Sequence, residues 1–244
     1  MLNASKVQAT VVSLEPFGEG VFHVVFETPA RNNRFVPGQF LHLTLDDFDP
    51  STGYWPESRV FSIASAPGKG EISIVYSVKG SYTKRMQQEL TVGKVVWLKY
   101  PYGDFSISRH CQYGDQVVLL AGGTGVSPYL AFLRSLDHNT LSQKVSLYYG
   151  IRVSENMLFG DFLRGLSATQ PWFRLQVYQE EGIPATTADR QGRLNLEDLE
   201  SDFGDRFRES VYFLSGPPAM LKYFSEGLRA RGVSEARVVM DEWE

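Results

Sequence analysis

The apolar positions of this chain change their rhythm once, close to residue 108. Before that point short runs rich in Val, Ile, Phe and Tyr cover Val7 to Leu14, Val21 to Thr28, Gln39 to Leu45, Arg59 to Ser65, Glu71 to Lys79 and Val95 to Lys99. Turn clusters such as Pro16-Phe17-Gly18, Pro37-Gly38 and Ala66-Pro67-Gly68 separate them. Six such strands with few helices predict an antiparallel, closed or nearly closed β barrel, with one or two helical turns at Ser81 to Leu90. After the polar stretch Ser108 to Asp115, strands buried on both faces are expected at Gln116 to Ala121, Lys144 to Tyr149, Arg174 to Gln179 and Ser210 to Leu214. Helical patterns lie between and after them, at Tyr129 to Leu136, Asn156 to Leu166, Leu196 to Leu199 and Ala219 to Arg231. Alternating strand and helix means a doubly wound α/β domain with a parallel sheet. The expected organisation is a barrel over residues 1–108 and an α/β domain over 109–244.

Composition narrows the chemistry. The chain has 244 residues, 24 Lys plus Arg against 28 Asp plus Glu, and a formal net charge of −4, so it lacks the basic footprint of a nucleic-acid binder. One cysteine, Cys111, can close no intrachain disulfide and cannot hold an iron–sulfur cluster or a cysteine-rich zinc site. His23, His42, His110 and His138 show no ligand spacing, so no metal is expected. The N-terminus has no apolar signal-like run, and the most apolar stretch, Gln116 to Leu133, is broken by glycines and Pro128. A cytoplasmic protein without membrane insertion is therefore expected. Any redox work needs a bound carrier.

The strongest local signal is Val117-Val118-Leu119-Leu120-Ala121-Gly122-Gly123-Thr124-Gly125-Val126-Ser127-Pro128, a buried strand, a glycine turn and a helix start with Ser127 as N-cap. Freed backbone amides there make a seat for a pyrophosphate. The run departs from G-x-G-x-x-G, and a plain tight turn is the alternative. Phe213-Leu214-Ser215-Gly216-Pro217-Pro218-Ala219-Met220 repeats the design, and both turns should project from the same carboxyl-end edge of a parallel sheet. In the barrel half, Arg59-Val60-Phe61-Ser62 offers an arginine for phosphate, an aromatic for a planar ring and a hydroxyl for a polar ring edge, with an ordinary barrel strand whose arginine pairs with an acid as the alternative. Arg59, Phe61 and Ile63 fall on one side of that strand and Ser62 on the other. Gly80-Ser81-Tyr82-Thr83 opens a helix whose free amides either suit a second pyrophosphate or merely start the helix with nothing bound.

These motifs, with Pro37-Gly38-Gln39-Phe40, Pro101-Tyr102-Gly103-Asp104-Phe105 and an acidic-aromatic tail, occur in the order seen in ferredoxin–NADP reductase-like flavoproteins, and the resemblance covers nearly the whole chain. It implies FAD, with FMN as the alternative, and NADH or NADPH as cosubstrate. Phe61 would pack on the isoalloxazine, Ser62 would meet its N5 region and Arg59 its pyrophosphate. Ile74, Val75 and Tyr76 would face the pyrimidine edge through backbone groups, and Gly80, Tyr82 and Thr83 would cradle phosphate. Gly123, Thr124, Gly125 and Pro128, with Gly150 and Arg152 after the second strand, would approach the nicotinamide nucleotide. Ser215, Gly216, Pro217 and Met220 would line its nicotinamide side. Ser215 stands where relatives often have cysteine. Trp243 resembles the aromatic that shields the flavin's other face, and Asp241 is a candidate proton or polar partner.

Where NADP-using relatives tend to place Ser-Arg, this chain reads Gln179-Glu180-Glu181, which favours NADH, while Arg152, Arg190 and Arg193 lie in nearby loops. Loop Asp46 to Ser58, carrying Tyr54 and Trp55, is either a cover for the adenine, a partner contact or a surface insertion. The function implied is a reductase that takes a hydride from NAD(P)H onto FAD and hands electrons to a separate acceptor such as a ferredoxin or oxygenase component. The alternatives are a reductase of free flavin and a noncatalytic flavin-binding electron-transfer subunit.

Overall fold

A computed structural model of the chain describes residues 4–29, 33–68, 70–136 and 143–241. They group into two compact units: the chain through Ser106 together with Ser127–Ser135, and Ile107–Val126 together with the chain from Leu136 onward.

The first unit is built on one antiparallel sheet of β1 (Ser5–Pro16), β2 (Val21–Glu27), β3 (Phe40–Thr44), β4 (Arg59–Ser62), β5 (Glu71–Ser77) and β6 (Val95–Tyr102). Their order is β4-β3-β6-β1-β2-β5, and a single bridge between Ile63 and Ile74 brings the two ends together, so the barrel is nearly closed. Alternation sets the inner face: Val7, Ala9 and Val11 of β1, Val24 and Phe26 of β2, Leu41 and Leu43 of β3 and Val96 and Leu98 of β6 are all buried in one core. Helix α1 (Ser81–Glu89) adds Tyr82 and Met86 to that core, and Leu90 follows just beyond it.

Two motifs that looked like strand entries lock onto each other. Gly38 has a φ of +96°, and a Cβ there would collide with the carbonyl of Phe105, so the position admits only glycine. Gln39 Nε2 donates to the Gly103 carbonyl at 3.0 Å, and Phe40 stacks on Tyr102 with ring centroids 5.6 Å apart. The loop before β4 packs its aromatics onto β6 and β1. Phe48 is buried against Trp55 and Trp97, with Lys6 Nζ 4.3 Å from its ring centroid, while Tyr54 is exposed.

Burial pushes the pKa of His23, on β2, below its ordinary value; the positive charge of Arg134 adds to this and Glu15 opposes it. A lowered folded pKa means the unfolded chain binds the proton first, so stability is intact above the unfolded histidine value of about 6.5 and falls as pH drops below it. Thermal melts at pH 7.5 and 5.0 should show this loss, reduced in His23→Phe. An equal loss in the variant would assign the acid sensitivity to other groups.

The second unit begins with the short helix α2 (Ile107–His110), then β7 (Gln116–Gly122); α3 (Ser127–Ser135) follows in sequence but is grouped with the barrel. There α3 places Tyr129 near Phe105, with ring centroids 5.9 Å apart, and Arg134 donates to the Ala64 carbonyl at 3.3 Å. Next come β8 (Lys144–Ile151), α4 (Gly160–Thr169), β9 (Phe173–Gln179), β10 (Arg190–Gln191), α5 (Leu196–Phe203), β11 (Val211–Ser215), α6 (Pro218–Ala230) and β12 (Val238–Met240). All six strands run parallel in the order β10-β9-β8-β7-β11-β12. Successive strands move outward from β7 on one side and resume at β11 on its other side, so the carboxyl ends of β7 and β11 form the topological switch point. On one face of the sheet Val118, Leu120, Tyr148 and Leu214 pack with Leu199, Phe203, Phe224 and Leu228 from α5 and α6.

Three local expectations need correction. Ser127 is not the N-cap of α3: Gly123–Val126 forms a 3-10 turn that runs straight into the helix, Val126 holds the cap position, and Ser127 is its buried first residue. Helix α4 starts at Gly160 rather than Asn156, because Phe159 adopts the left-handed conformation at φ 54° and breaks the pattern. The parallel sheet also has two further edge strands, β10 and β12, too short to announce themselves by periodicity.

Candidate nucleotide-binding sites

In the barrel unit, β4 carries Arg59 to the start of α1. The Arg59 guanidinium lies 4.7 Å from the centroid of the Tyr82 ring, its Nη1 donates to the Ser58 carbonyl at 2.9 Å, and its Nη2 meets Glu57 Oε1 at 2.8 Å. Gly80 caps α1 in an extended conformation. The Thr83 hydroxyl organises the turn, accepting from the amides of Lys79 (2.9 Å) and Gly80 (3.1 Å). The first amides of a helix have no acceptor within it, so Ser81, Tyr82 and Thr83 present N–H groups beside a cation, a combination that can hold a pyrophosphate. Tyr82 is placed to take part through its backbone amide, as the helix start implies. Its side chain is buried, with Oη donating to the Leu43 carbonyl at 2.9 Å and accepting from the Leu45 amide at 3.2 Å.

Phe61 sits opposite Leu41 and packs at the edge of the barrel core, its ring edge-on to Tyr76 at 6.3 Å; Ser62 sits opposite Phe40 on the other side of the strand. Ile74, Val75 and Tyr76 are buried on β5. This strand ends the sheet, and past the Ile63 bridge its outer edge has no strand partner among the described residues, which leaves backbone groups available to a ligand. The buried Tyr76 Oη has no hydrogen-bond partner among the described residues, and burial pushes its pKa up to about 12. An orphaned hydroxyl beside Phe61, an open strand edge and a cationic helix start are a donor set that fits a flavin nucleotide.

In the α/β unit the two glycine turns meet at the switch point. A Cβ on Gly122 would lie 2.6 Å from Met220 Sδ and 2.9 Å from Pro217 Cδ. One on Gly216 would lie 3.1 Å from the Gly122 nitrogen, and one on Gly125 would strike the Ser215 carbonyl and approach the Gly216 nitrogen to 2.7 Å. Gly125 is therefore required by packing against backbone, while Gly122 and Gly216 sit in tight contact with Met220, Pro217 and each other. Gly123 differs: its φ is +54° and nothing stands within 4 Å of a Cβ built on it, so this glycine faces open space where a ligand can approach. Tyr149, which sequence reasoning passed over, pins the turn. Fully buried on β8, it donates from Oη to the Gly123 carbonyl at 3.0 Å and accepts from the Leu158 amide at 3.3 Å. A tyrosine in a buried strand run gives no sign of this in sequence. Gly150 aligns with Gly122 in the β7–β8 register. Thr124 belongs to the 3-10 turn, and Pro128 is buried in the first turn of α3.

Ser215 and Asp241 come together. The β11–β12 register aligns Leu214 with Met240, the Asp241 amide donates to the Leu214 carbonyl at 2.9 Å, and Ser215 Oγ donates to Asp241 Oδ2 at 2.8 Å. Both residues are buried, with 3% and 5% exposure. Trp243 and His138 lie outside the described residues.

After β9, Glu180 and Glu181 emerge at the carboxyl edge of the sheet, paired with arginines: Arg193 Nε to Glu180 Oε2 at 2.8 Å and Arg152 Nε to Glu181 Oε1 at 2.9 Å. Arg190 is committed elsewhere, to Asp198 at 3.0 Å, Asp202 at 2.9 Å and the Tyr178 hydroxyl at 2.7 Å. Cys111 is half-buried, and burial with the Asp115 charge pushes its thiol up to about 12, which makes it a poor nucleophile at neutral pH. Among the described residues no cluster of His, Cys, Asp or Glu could hold a metal, and no helix is long and apolar enough to cross a membrane.

The profile of the FAD-binding domain family matches residues 2–128, and that of the oxidoreductase NAD-binding domain matches residues 119–226. The chain is 27% identical over 247 residues to the reductase component of propane 2-monooxygenase from Rhodococcus jostii (strain RHA1), covering 97% of this chain and 63% of that protein. It is 31% identical over 152 residues to methane monooxygenase component C from Methylosinus trichosporium, covering 61% and 42% respectively. The chain thus spans less than two thirds of these relatives. An Amycolatopsis cytochrome P450 reductase, GcoB, superposes with a TM-score of 0.82 at 22% identity, covering 98% of this chain and 70% of that one. A ferredoxin NADP+ reductase from Neisseria gonorrhoeae with bound FAD and NADP gives 0.78 at 18% identity over 99% of both chains. At these identities the likeness is one of fold.

Proposed function

The chain belongs to the FAD-binding domain family, and from that membership we propose that it is an NADH-dependent flavoprotein reductase delivering electrons to a separate acceptor, an oxygenase component or a ferredoxin. The observation that carries the reading is the pair of interlocked glycine turns at the switch point, with open space over Gly123 and the buried Ser215–Asp241 contact beside them. Relatives described as reductase components of monooxygenases support the choice of acceptor class. FAD supplies the redox chemistry when bound, exchanging electron pairs with a nicotinamide and single electrons with an acceptor.

The residues bind and orient. Arg59 and the first amides of α1 hold the flavin pyrophosphate, Phe61 supports one face of its ring, and Ser62 offers a hydroxyl to the ring edge. Gly123 and Thr124 receive the coenzyme pyrophosphate, Pro217 and Met220 flank the nicotinamide, and Ser215, fixed by Asp241, presents a polar contact. Glu180 and Glu181 repel a 2′-phosphate and favour NADH.

Anaerobic titration of the purified protein tests this. Near-stoichiometric FAD reduced faster by NADH than by NADPH is expected, and Arg59→Ala should release flavin on gel filtration. A colourless protein that reduces added flavin would mean a free-flavin reductase; bound flavin reduced by neither coenzyme would mean a noncatalytic subunit.

A further inference from the structure

We propose that the amino-end edge of the parallel sheet carries a second ligand site, an open cavity of about 440 Å³ that takes a small multivalent oxyanion, a polycarboxylate or a phosphate compound. Asp115, Gln116, Lys144, Arg206, Glu209 and Arg237 line it. They come from the starts of four neighbouring strands in the order β8-β7-β11-β12: Lys144 opens β8, Gln116 opens β7, Glu209 lies just before β11 and Arg237 directly before β12. β7 is seven residues long, so roughly 20 Å of strand separates this cavity from the glycine turns at the carboxyl edge.

The charges in the cavity divide into a fixed wall and an open pair. Arg237 Nη1 donates to the Glu209 carbonyl at 2.6 Å and stands 3.7 Å from Asp115 Oδ1, while Asp115 Oδ2 accepts from the Gln112 amide at 2.6 Å. Gln116 Nε2 donates to the Lys144 carbonyl at 3.0 Å, which ties the starts of β7 and β8 together. Lys144 and Arg206 are different. Both are exposed, and among the described residues neither side chain makes an ion pair or a hydrogen bond. Two cations on one cavity without a counter-ion repel each other, and an oxyanion that accepts from both removes that cost and gains charge-assisted bonds.

Two further features narrow the ligand. No aromatic or aliphatic side chain lines the cavity, so it offers no platform for a nucleobase or a flavin ring. The Glu209 carboxylate opposes an anion, yet three cations against two acids leave the lining net positive. The occupant would hold Lys144 at the start of β8 and Arg206 in the turn before β11. Such a ligand binds only the folded α/β unit and therefore stabilises it.

Calorimetry with citrate and with inorganic phosphate tests the site, on purified protein supplied with FAD and 5′-ADP so that the nucleotide turns are filled. One equivalent of citrate or phosphate is expected to bind, with a melting temperature that rises with its concentration and an affinity that falls as salt is added. The tighter of the two identifies the oxyanion as a carboxylate or a phosphate. Lys144→Gln and Arg206→Gln should each weaken binding at least about tenfold, because each removes a charge-assisted bond. Glu209→Gln should tighten it. Melting temperatures without the anion should stay at the wild-type value in Lys144→Gln and Arg206→Gln, whose side chains are exposed. Binding of neither anion, or binding that the Lys144→Gln/Arg206→Gln double variant keeps in full, would overturn the site. Uptake seen only when 5′-ADP is left out would place the anion at the glycine turns and overturn it equally.

Discussion

Gly125→Ala is expected to cost the α/β unit both its stability and its hold on the coenzyme. The added Cβ would strike the Ser215 carbonyl and approach the Gly216 nitrogen to 2.7 Å. Both obstacles are backbone, so no rotamer change relieves them. The Ser215 end is held by β11, whose register with β7 runs to Ala121, and by the amide of Asp241 on the Leu214 carbonyl. Ordinary overpacking costs ~1–3 kcal/mol, and this clash should reach the top of that range or exceed it. For a chain of this size such a loss corresponds to a melting temperature lower by roughly 6–12 °C. Gly123→Ala is the contrasting variant. Its Cβ meets nothing, so only the positive φ is penalised, about 1–2 kcal/mol. Both variants should weaken 5′-ADP binding, Gly123→Ala by filling the approach and Gly125→Ala by moving the turns apart. Calorimetric melting and nucleotide titration separate the two. An unchanged melting temperature in Gly125→Ala would contradict the interlocked turns.

Why the barrel was readable and other features were not follows from how much pattern each element needs. β1 buries Val7, Ala9 and Val11 in alternation and β2 sends Val24 and Phe26 to the same core, and their sequence shows it. The parallel strands are continuous apolar runs bounded by glycines, which is equally plain. β12 has three residues, so it reads as part of a tail, yet it is what brings Asp241 level with Ser215. The sequence marks both residues separately as candidates; only the register joins them. Ser127 misled as a cap because the 3-10 turn before it uses up the glycines that would otherwise end the strand. Tyr82 does two jobs that a single letter does not separate: its ring completes the barrel core while its backbone stays at the helix start. The split of roles among glycines, packing at 122, 125 and 216 against open space at 123, is invisible in a string of identical letters.

The Ser215–Asp241 contact yields the second large effect, and stability and rate should respond to it differently. Ser215→Ala removes the donor on Asp241 Oδ2, and Asp241→Ala leaves a buried hydroxyl without its acceptor. Each single change should lower stability by about 1–3 kcal/mol, since a buried polar group that loses its partner keeps its desolvation cost. The double variant removes both ends of the bond, so it should lose clearly less than the sum of the singles, a positive coupling in a double-mutant cycle. Rate should show no such recovery. If Ser215 presents a polar contact at the nicotinamide and Asp241 holds it there, the anaerobic rate of flavin reduction at saturating NADH should fall by roughly 10–100-fold in Asp241→Ala and stay low in the double variant. Flavin retention should be normal in all three, because the barrel residues that would hold it are untouched. Stability and rate recovering together in the double variant would reduce the pair to a structural bond. Stability recovering alone separates the catalytic contribution of these two buried side chains from their contribution to the fold.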